Sequence, residues 1–382
     1  MNGYRRLHER LVLQTLLNHP LMGGRASSWL ALLARNRFRV DPAYWPRALT
    51  VTGVTTLLAP LRLLHRVRFG RGSAAAVPPR PVFIIGHYRS GTTHLNNLLG
   101  CDPQFATMAT TQAILPELFR FAAIPRVFRA VLPATRPMDN MAMAPDLPEE
   151  PEHALGAVSQ CCLYHGFCFP RDFHDNYHTW VSFDSGDEVA ERVARWRDHY
   201  RALLAMASVA GGKRPVLVKN PADTGRVPHL LAAFPDARLI FLVRDPVVTY
   251  ASTLKFYRAM LNDYALQSID AAALREIVLA TGEAMLGAYL RARESVSPGA
   301  LVEVRFEELE ADPVAALDRV YSTLGLPGFE GARPLFERYL QSQAGYRKNA
   351  FDVPVDEVAE VRRRWGPLFR HWGYGEAATP SA

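Results

Sequence analysis

The stretch Val82-Phe83-Ile84-Ile85-Gly86-His87-Tyr88-Arg89-Ser90-Gly91-Thr92-Thr93-His94-Leu95 decides how the rest of this chain is read. Four apolar residues make a short buried strand, a glycine-bounded turn follows, and a helix opens near Thr92. Such a turn aims several backbone N–H groups and a helix N-terminus at one anion, which makes a phosphate cradle. Gly86 and Gly91 have four residues between them, the spacing of an NTPase P-loop, but Thr92 stands where the P-loop lysine belongs. The cation has moved to Arg89, inside the loop, where a guanidinium can donate a forked pair of hydrogen bonds to anionic oxygens. A turn built only for packing accounts for the glycines but not for Arg89, Ser90, Thr92 and Thr93 together.

Further along, Val216-Leu217-Val218-Lys219-Asn220-Pro221 ends an apolar strand on a lysine, at the edge where open α/β sheets place their ligands. The choice is informative, because the chain has only four lysines (Lys213, Lys219, Lys255 and Lys348) among 44 basic residues. Leu239 to Val243 is another buried strand, closed by Arg244-Asp245-Pro246 and followed by a helix that carries Ser252 two turns in. Asp245 before Pro246 is a natural helix N-cap, which leaves Arg244 and Ser252 as the anion-binding pair. With Leu301 to Phe306 as a further strand, the alternation of strands and helices predicts an α/β fold. Its centre is a P-loop-like parallel β-sheet flanked by helices.

Composition excludes several classes. At 382 residues the chain is long for one domain on a prior of roughly 150 residues each, and 49% hydrophobic with 21% charged residues is a globular balance. Residues 1–80 hold 13 arginines against Glu9 and Asp41, a charge of 13 − 2 = +11, so the remainder carries 7 − 11 = −4. These residues read as a basic helical N-terminal extension, with the linker-like Gly72 to Pro79 before a catalytic domain over 81–376. Leu7, Leu11, Val12, Leu16 and Leu17 recur with helical spacing, Ser27 or Ser28 suits a cap for Trp29 to Ala34, and Asp41-Pro42 suits another helix start. Arginine-rich helices on a globular body usually hold their guanidinium groups in solvent. The sharper reading is peripheral contact with an anionic membrane. Nucleic acid is not expected, because no recognition motif accompanies the charge. The apolar run Ala48 to Leu64 is interrupted by Gly53, Pro60 and Arg62, so no transmembrane helix is predicted. The N-terminus lacks a secretory pattern, giving cytoplasmic residence as the expectation. Four cysteines in no paired zinc spacing predict neither a metal site nor a disulfide.

Taken together, the GxxRSGTT loop, a V-K-x-P strand end and F-P-x-A-x-h-h-h-h-R-D-P with a serine eight residues after the arginine resemble the sulfotransferases. These enzymes use 3′-phosphoadenosine 5′-phosphosulfate (PAPS). The loop is most similar to bacterial members reading G-H-x-R-S-G-T-T-H-L. Phe306 to Pro313 and Tyr346-Arg347-Lys348-Asn349 extend the resemblance. It implies that Arg89, Ser90, Gly91, Thr92 and Thr93 hold the 5′-phosphosulfate, that Arg244 and Ser252 bind the 3′-phosphate, and that Lys219 lies near the leaving oxygen. Arg347 and Lys348 match a segment contacting the 3′-phosphate, although Asn349 replaces its glycine. No metal cofactor is implied, since Arg89 and Lys219 can hold the leaving charge.

The resemblance also implies a general base. The segment Asp146-Leu147-Pro148-Glu149-Glu150-Pro151-Glu152-His153 is similar to the family's P-x-E-D-E-F-A-L, with Pro151 and His153 departing from it, so Glu150 and Glu152 are the transferable positions and Glu152 is preferred. Acids here also suit the first turn of a helix, and the departure at His153 could matter because a histidine side chain can serve as a base. His87 and His94 flank the loop, and His94 reads as packing. Arg136 to Asn140 reads as a substrate-side or structural loop. The expected reaction moves a sulfuryl group onto a hydroxyl or amine of a small-molecule, lipid or carbohydrate acceptor. Tyr164, Phe167, Phe169, Phe173, Tyr177, Met141 and Met143 suit an apolar pocket wall, yet each is more often core. Two alternatives stay open: a P-loop kinase or NTPase, which would require Mg²⁺, and a non-catalytic nucleotide-binding protein at the membrane periphery.

Overall fold

The computed structural model describes residues 16, 18–70, 80–131, 143–343 and 351–374. The described residues fall into two compact units, a sheet unit drawn from 79–106, 214–255 and 275–382 and a helical unit drawn from 1–78, 107–213 and 256–274. The linker-like Gly72 to Pro79, the loop Arg136 to Asn140, Met141, and the leucine repeat apart from Leu16 lie outside the described residues.

The five-stranded sheet contains β1 (Val82–Gly86), β2 (Ala106–Thr107), β3 (Val216–Lys219), β4 (Arg238–Val243) and β5 (Leu301–Arg305), in the order β2-β3-β1-β4-β5. Pairing of β1 with β3, β1 with β4, and β4 with β5 is parallel. Both faces are buried, which is why these strands read as continuous apolar runs. Val82, Ile84, Ile240, Leu242, Val302 and Val304 pack on one face with Leu95, Leu98 and Leu99 of helix Thr92–Leu99 and Leu317, Val320 and Leu324 of helix Pro313–Leu324. The alternate residues face the other way: Phe83 meets Phe234 with ring centroids 5.5 Å apart, and Phe241 stacks on Tyr289 at 3.7 Å. The strand expected to reach Phe306 stops at Arg305, because Phe306 opens helix Phe306–Ala311. The two-residue β2 is too short to leave a pattern in the sequence.

In the helical unit, helices Ala26–Arg35, Trp45–Leu57 and Ala59–Phe69 fill the predicted extension. The first begins behind Arg25, ahead of both serines, and Asp41 makes no side-chain cap. Its carboxylate instead accepts from Arg171 and from Ser268 N–H at 2.9 Å, so it ties a turn to two distant segments. The helical stretch Pro42–Phe69 is long and apolar enough to cross a membrane by length and composition. Two of its arginines nevertheless turn inward: Arg47 donates to the carbonyls of Ala265 and Asn262, and Arg62 to that of Thr55. Phe167, Phe173, Tyr177 and Tyr264 are buried, with Phe167 5.1 Å from Phe173 and 4.9 Å from Tyr257, so these aromatics form core.

Candidate active site

The parallel register brings three strand ends level. Ile84 of β1 pairs with Lys219 at the end of β3, and Gly86 pairs with Leu242 of β4, two residues before Arg244. Three segments spread between positions 86 and 244 thus deliver Gly86, Lys219 and Arg244 to one edge of the sheet, where open α/β sheets bind ligands.

Backbone shape makes the cradle. Arg89 (φ 69°) and Gly91 (φ 100°) both occupy the left-handed region, so the chain reverses tightly into helix Thr92–Leu99. A Cβ at Gly91 would lie 2.3 Å from the Phe306 ring, and one at Gly86 would lie 2.3 Å from the Leu242 carbonyl oxygen, so neither position admits a side chain. Ser90 Oγ donates to the His87 carbonyl at 2.8 Å and closes the turn from inside. The first intrahelical bond runs from Leu95 N–H to the Gly91 carbonyl, which leaves the N–H groups of the opening turn outside the helix ladder.

The cations are positioned by neighbours. Arg89 Nε donates to Ser252 Oγ at 3.1 Å, joining the loop to helix Pro246–Tyr264. Arg244 lies over the Phe306 ring, 4.3 Å from its centroid, and burial pulls its pKa below the usual arginine value against the opposing pull of Glu307 and Glu310. Asp245 accepts from Val248 N–H at 2.9 Å, the N-cap expected of it. Lys219 is buried, and the turn after it, Pro221–Arg226, is braced by Asp223, which accepts from Asn220 and from the fully buried Arg226. His87 is held to about pH 4 by burial, with its bond to the Tyr88 carbonyl opposing, so it is neutral at pH 7. His94 is pushed down by burial and its ring lies 6.1 Å from that of Tyr339, a packing role. Arg347 and Lys348 lie outside the described residues.

Two positioning residues carry no sequence signal. Thr224 Oγ1 accepts from Gly86 N–H at 2.7 Å and donates to the Gly86 carbonyl at 2.9 Å, and Thr253 donates to the Tyr88 carbonyl at 3.1 Å. Threonines in a turn and a helix are too common to single out.

Glu150, Glu152 and His153 belong to the helical unit. Glu150 precedes helix Pro151–Val158 and its carboxylate accepts from the Tyr164 hydroxyl. Glu152, in the first turn, is fully buried and accepts from Leu163 N–H at 2.6 Å. His153 Nδ1 lies 2.9 Å from the Tyr264 hydroxyl, and Nε2 lies 3.9 Å from Glu149. Among the described residues no group of three or more His, Cys, Asp and Glu side chains could hold a metal ion.

This fold and site define a class. The chain belongs to the sulfotransferase family, whose profile matches residues 81–331, and it is a transferase. It is 31% identical over 359 residues to the omega-hydroxy-beta-dihydromenaquinone-9 sulfotransferase Stf3 of Mycobacterium bovis, covering 92% of this chain and 90% of that protein. The Stf3 of Mycobacterium tuberculosis gives the same identity and coverage. Among solved structures, the sulfotransferase STF9 of Mycobacterium avium shares the fold with a TM-score of 0.64 at 19% identity, over 91% of this chain and 95% of that one. STF1 of Mycobacterium tuberculosis does so with a TM-score of 0.57 at 18% identity, over 88% and 91%.

Proposed function

We propose that this sulfotransferase uses PAPS as its donor and sulfates the terminal hydroxyl of a long apolar lipid resembling an ω-hydroxylated menaquinone. The observation that carries the donor assignment is the charge at the sheet edge: Arg89 and Arg244 with Ser252 attached to Arg89, and a threonine at position 92. A nucleotide with phosphate groups at both the 5′ and 3′ positions calls for two separated cationic contacts of this kind, whereas an ATP-dependent P-loop calls for a lysine at 92. The tight turn that rejects a Cβ at Gly91 is suited to close approach of backbone N–H groups to an anion.

PAPS would supply the sulfuryl group and a phosphate leaving group. On the protein's side, Ser90 to Thr93 bind and orient the 5′ end and Arg244 with Ser252 the 3′-phosphate. Arg89 and Lys219 carry the leaving charge that a metal ion carries in kinases. Glu152 takes the acceptor hydroxyl proton, with Glu150 and His153 as its rivals. The 31% identity to a menaquinone-derivative sulfotransferase over nearly the whole chain supports a lipid over a phenol or a sugar. A lipid acceptor would place the enzyme at the cytoplasmic face of a membrane.

Calorimetric titration with adenosine 3′,5′-bisphosphate, 5′-AMP and ATP in EDTA tests the donor. Metal-independent binding that needs the 3′-phosphate is expected, while binding of Mg²⁺-ATP alone would return the assignment to the kinases. Transfer of labelled sulfate from PAPS to an ω-hydroxylated isoprenoid quinol in detergent tests the acceptor, and transfer only to short phenols would reject a lipid.

A further inference from the structure

The helix Ala59–Phe69 is inside out. Its buried residues are Arg62 and His65, while Leu63, Leu64 and Val67 face solvent, with Leu63 63% and Val67 77% exposed. A helix packed on a globular body does the reverse, because buried charge is costly and buried leucine stabilises. The preceding helix Trp45–Leu57 repeats the pattern: Arg47, Ala48, Val51 and Thr55 are buried, while Trp45, Leu49 and Leu57 are exposed, Leu57 at 79%. The inversion is supported from within. Arg62 donates to the Thr55 carbonyl at 2.8 Å, and Arg47 to those of Ala265 and Asn262 at 2.9 and 2.6 Å, so the buried guanidinium groups are anchored through their terminal nitrogens on backbone oxygens while the leucines face outward.

The helix itself carries charge of one sign, and Glu117, packed beside it, is paired with Arg66 and Arg25. No acidic residue occurs between Asp41 and Asp102 in the sequence. At the C-terminal end of helix Ala59–Phe69, Arg68 and Arg120 both lie against the Phe69 ring, 5.5 and 5.9 Å from its centroid, and Arg120 also donates to the Phe69 carbonyl. Exposed leucines and a valine, an exposed tryptophan and a cationic end match the interfacial zone of an anionic bilayer, where apolar side chains enter the acyl boundary and arginines meet phosphate.

We infer that the exposed face of helices Trp45–Leu57 and Ala59–Phe69 docks on the surface of an anionic bilayer, lying in it rather than crossing it. This inference rests on the lipid-acceptor reading for its purpose, since an acceptor dissolved in a membrane has to be met there. Its evidence is the inverted helices.

Flotation of the full chain with phosphatidylcholine vesicles, with or without phosphatidylglycerol, tests it. The wild type should float with the anionic vesicles and roughly tenfold less with the neutral ones. The variant Leu57→Glu/Leu63→Glu/Val67→Glu should lose at least about a hundredfold in partitioning. Circular dichroism and bisphosphate binding of that variant should stay unchanged, and Arg68→Glu alone should lose about tenfold. A wild type that binds bisphosphate yet does not float, or a triple variant that floats like wild type, overturns the inference. So does a wild type that self-associates through this face without floating, which would make a second copy the occupant. Flotation gained only when residues 1–15 are removed would show that segment to be the cover and would overturn it too. Sulfate transfer to the quinol in detergent distinguishes the two readings: a wild type that transfers sulfate but does not float refutes the docking surface alone, and a wild type that floats without transfer refutes the acceptor alone.

Discussion

Two short polar segments have opposite designs. Gly86 to Thr93 in the sheet unit closes its turn with Ser90 and the backbone, and the Nε of its cation Arg89 donates to the Ser252 hydroxyl at 3.1 Å. Glu149 to Leu163 in the helical unit turns its acids inward: Glu152 binds Leu163 N–H and Glu150 binds the Tyr164 hydroxyl. The first segment, through Ser90 and its left-handed residues Arg89 and Gly91, prepares a backbone shape for a ligand. The second uses carboxylates to hold its own fold, so any catalytic role there is added to a structural one. A substitution in the second segment must therefore separate chemistry from folding before it says anything about the base.

The largest expected effect uses that separation. Glu152→Gln keeps an oxygen to accept from Leu163 N–H but cannot take a proton, so turnover should fall roughly a hundredfold to ten-thousandfold with bisphosphate binding unchanged. Glu152→Ala should in addition lose about 1–3 kcal/mol of stability, because the buried Leu163 N–H is left without that acceptor. Steady-state kinetics beside urea unfolding reads both. Unchanged turnover in Glu152→Gln would make the residue structural and move the base to Glu150 or His153.

A second contrast concerns buried histidines, one in each unit. His87 beside the phosphate loop is held to about 4 by burial, and His165 to about 4 by burial with Arg35 adding to it. Each stays neutral in the folded chain while the unfolded chain accepts a proton below about 6.5. The folded state therefore binds fewer protons between pH 6.5 and 4, and stability is lost as pH falls through that window. At pH 5 the loss should be about 2 kcal/mol per histidine relative to pH 7. Urea midpoints at the two pH values measure it. His87→Gln and His165→Gln should each remove about 2 kcal/mol of the loss, the remainder including the share of His19, which burial holds to about 3, and an unchanged pH slope in either variant would exclude that histidine.

The same contrast explains what the sequence disclosed. Strands buried on both faces leave continuous apolar runs, so β1, β3, β4 and β5 were legible, and the loop was legible because glycine spacing and an arginine are themselves the device. Asp245 was read correctly as a cap because its bond is local, to Val248. Asp41 does open the helical turn Pro42–Tyr44, but its carboxylate is committed to Arg171 and Ser268, far away in the chain, which no local pattern shows. Thr224, on which Gly86 depends through two bonds, is 138 residues from its partner, and no local pattern encodes such a pairing. The inverted helix Ala59–Phe69 was invisible in the same way. Its periodicity marks two faces, and only the carbonyls and rings packed around it in the fold decide which one turns inward.

Within the sheet unit the effects should be smaller than those of the base. Arg89→Ala and Arg244→Ala each remove a charge-assisted hydrogen bond to an anion, about 1.5–3 kcal/mol, so bisphosphate binding should weaken roughly tenfold to a hundredfold in calorimetry. Fluorescence-detected melting should show little change. Affinities equal to wild type would remove either arginine from the donor site.

The smallest effect is also the most discriminating. Family resemblance assigns Ser252 to the 3′-phosphate, whereas its recorded bond is to Arg89, a residue of the 5′ side. Ser252→Ala should weaken binding by about 0.5–1.5 kcal/mol, roughly threefold to tenfold. If the serine touches the 3′-phosphate, that loss appears with adenosine 3′,5′-bisphosphate and vanishes with 5′-AMP. If it acts only by orienting Arg89, both nucleotides lose equally, and adding Ser252→Ala to Arg89→Ala costs nothing further. The double variant thus decides whether one hydroxyl serves the ligand directly or serves the arginine that does.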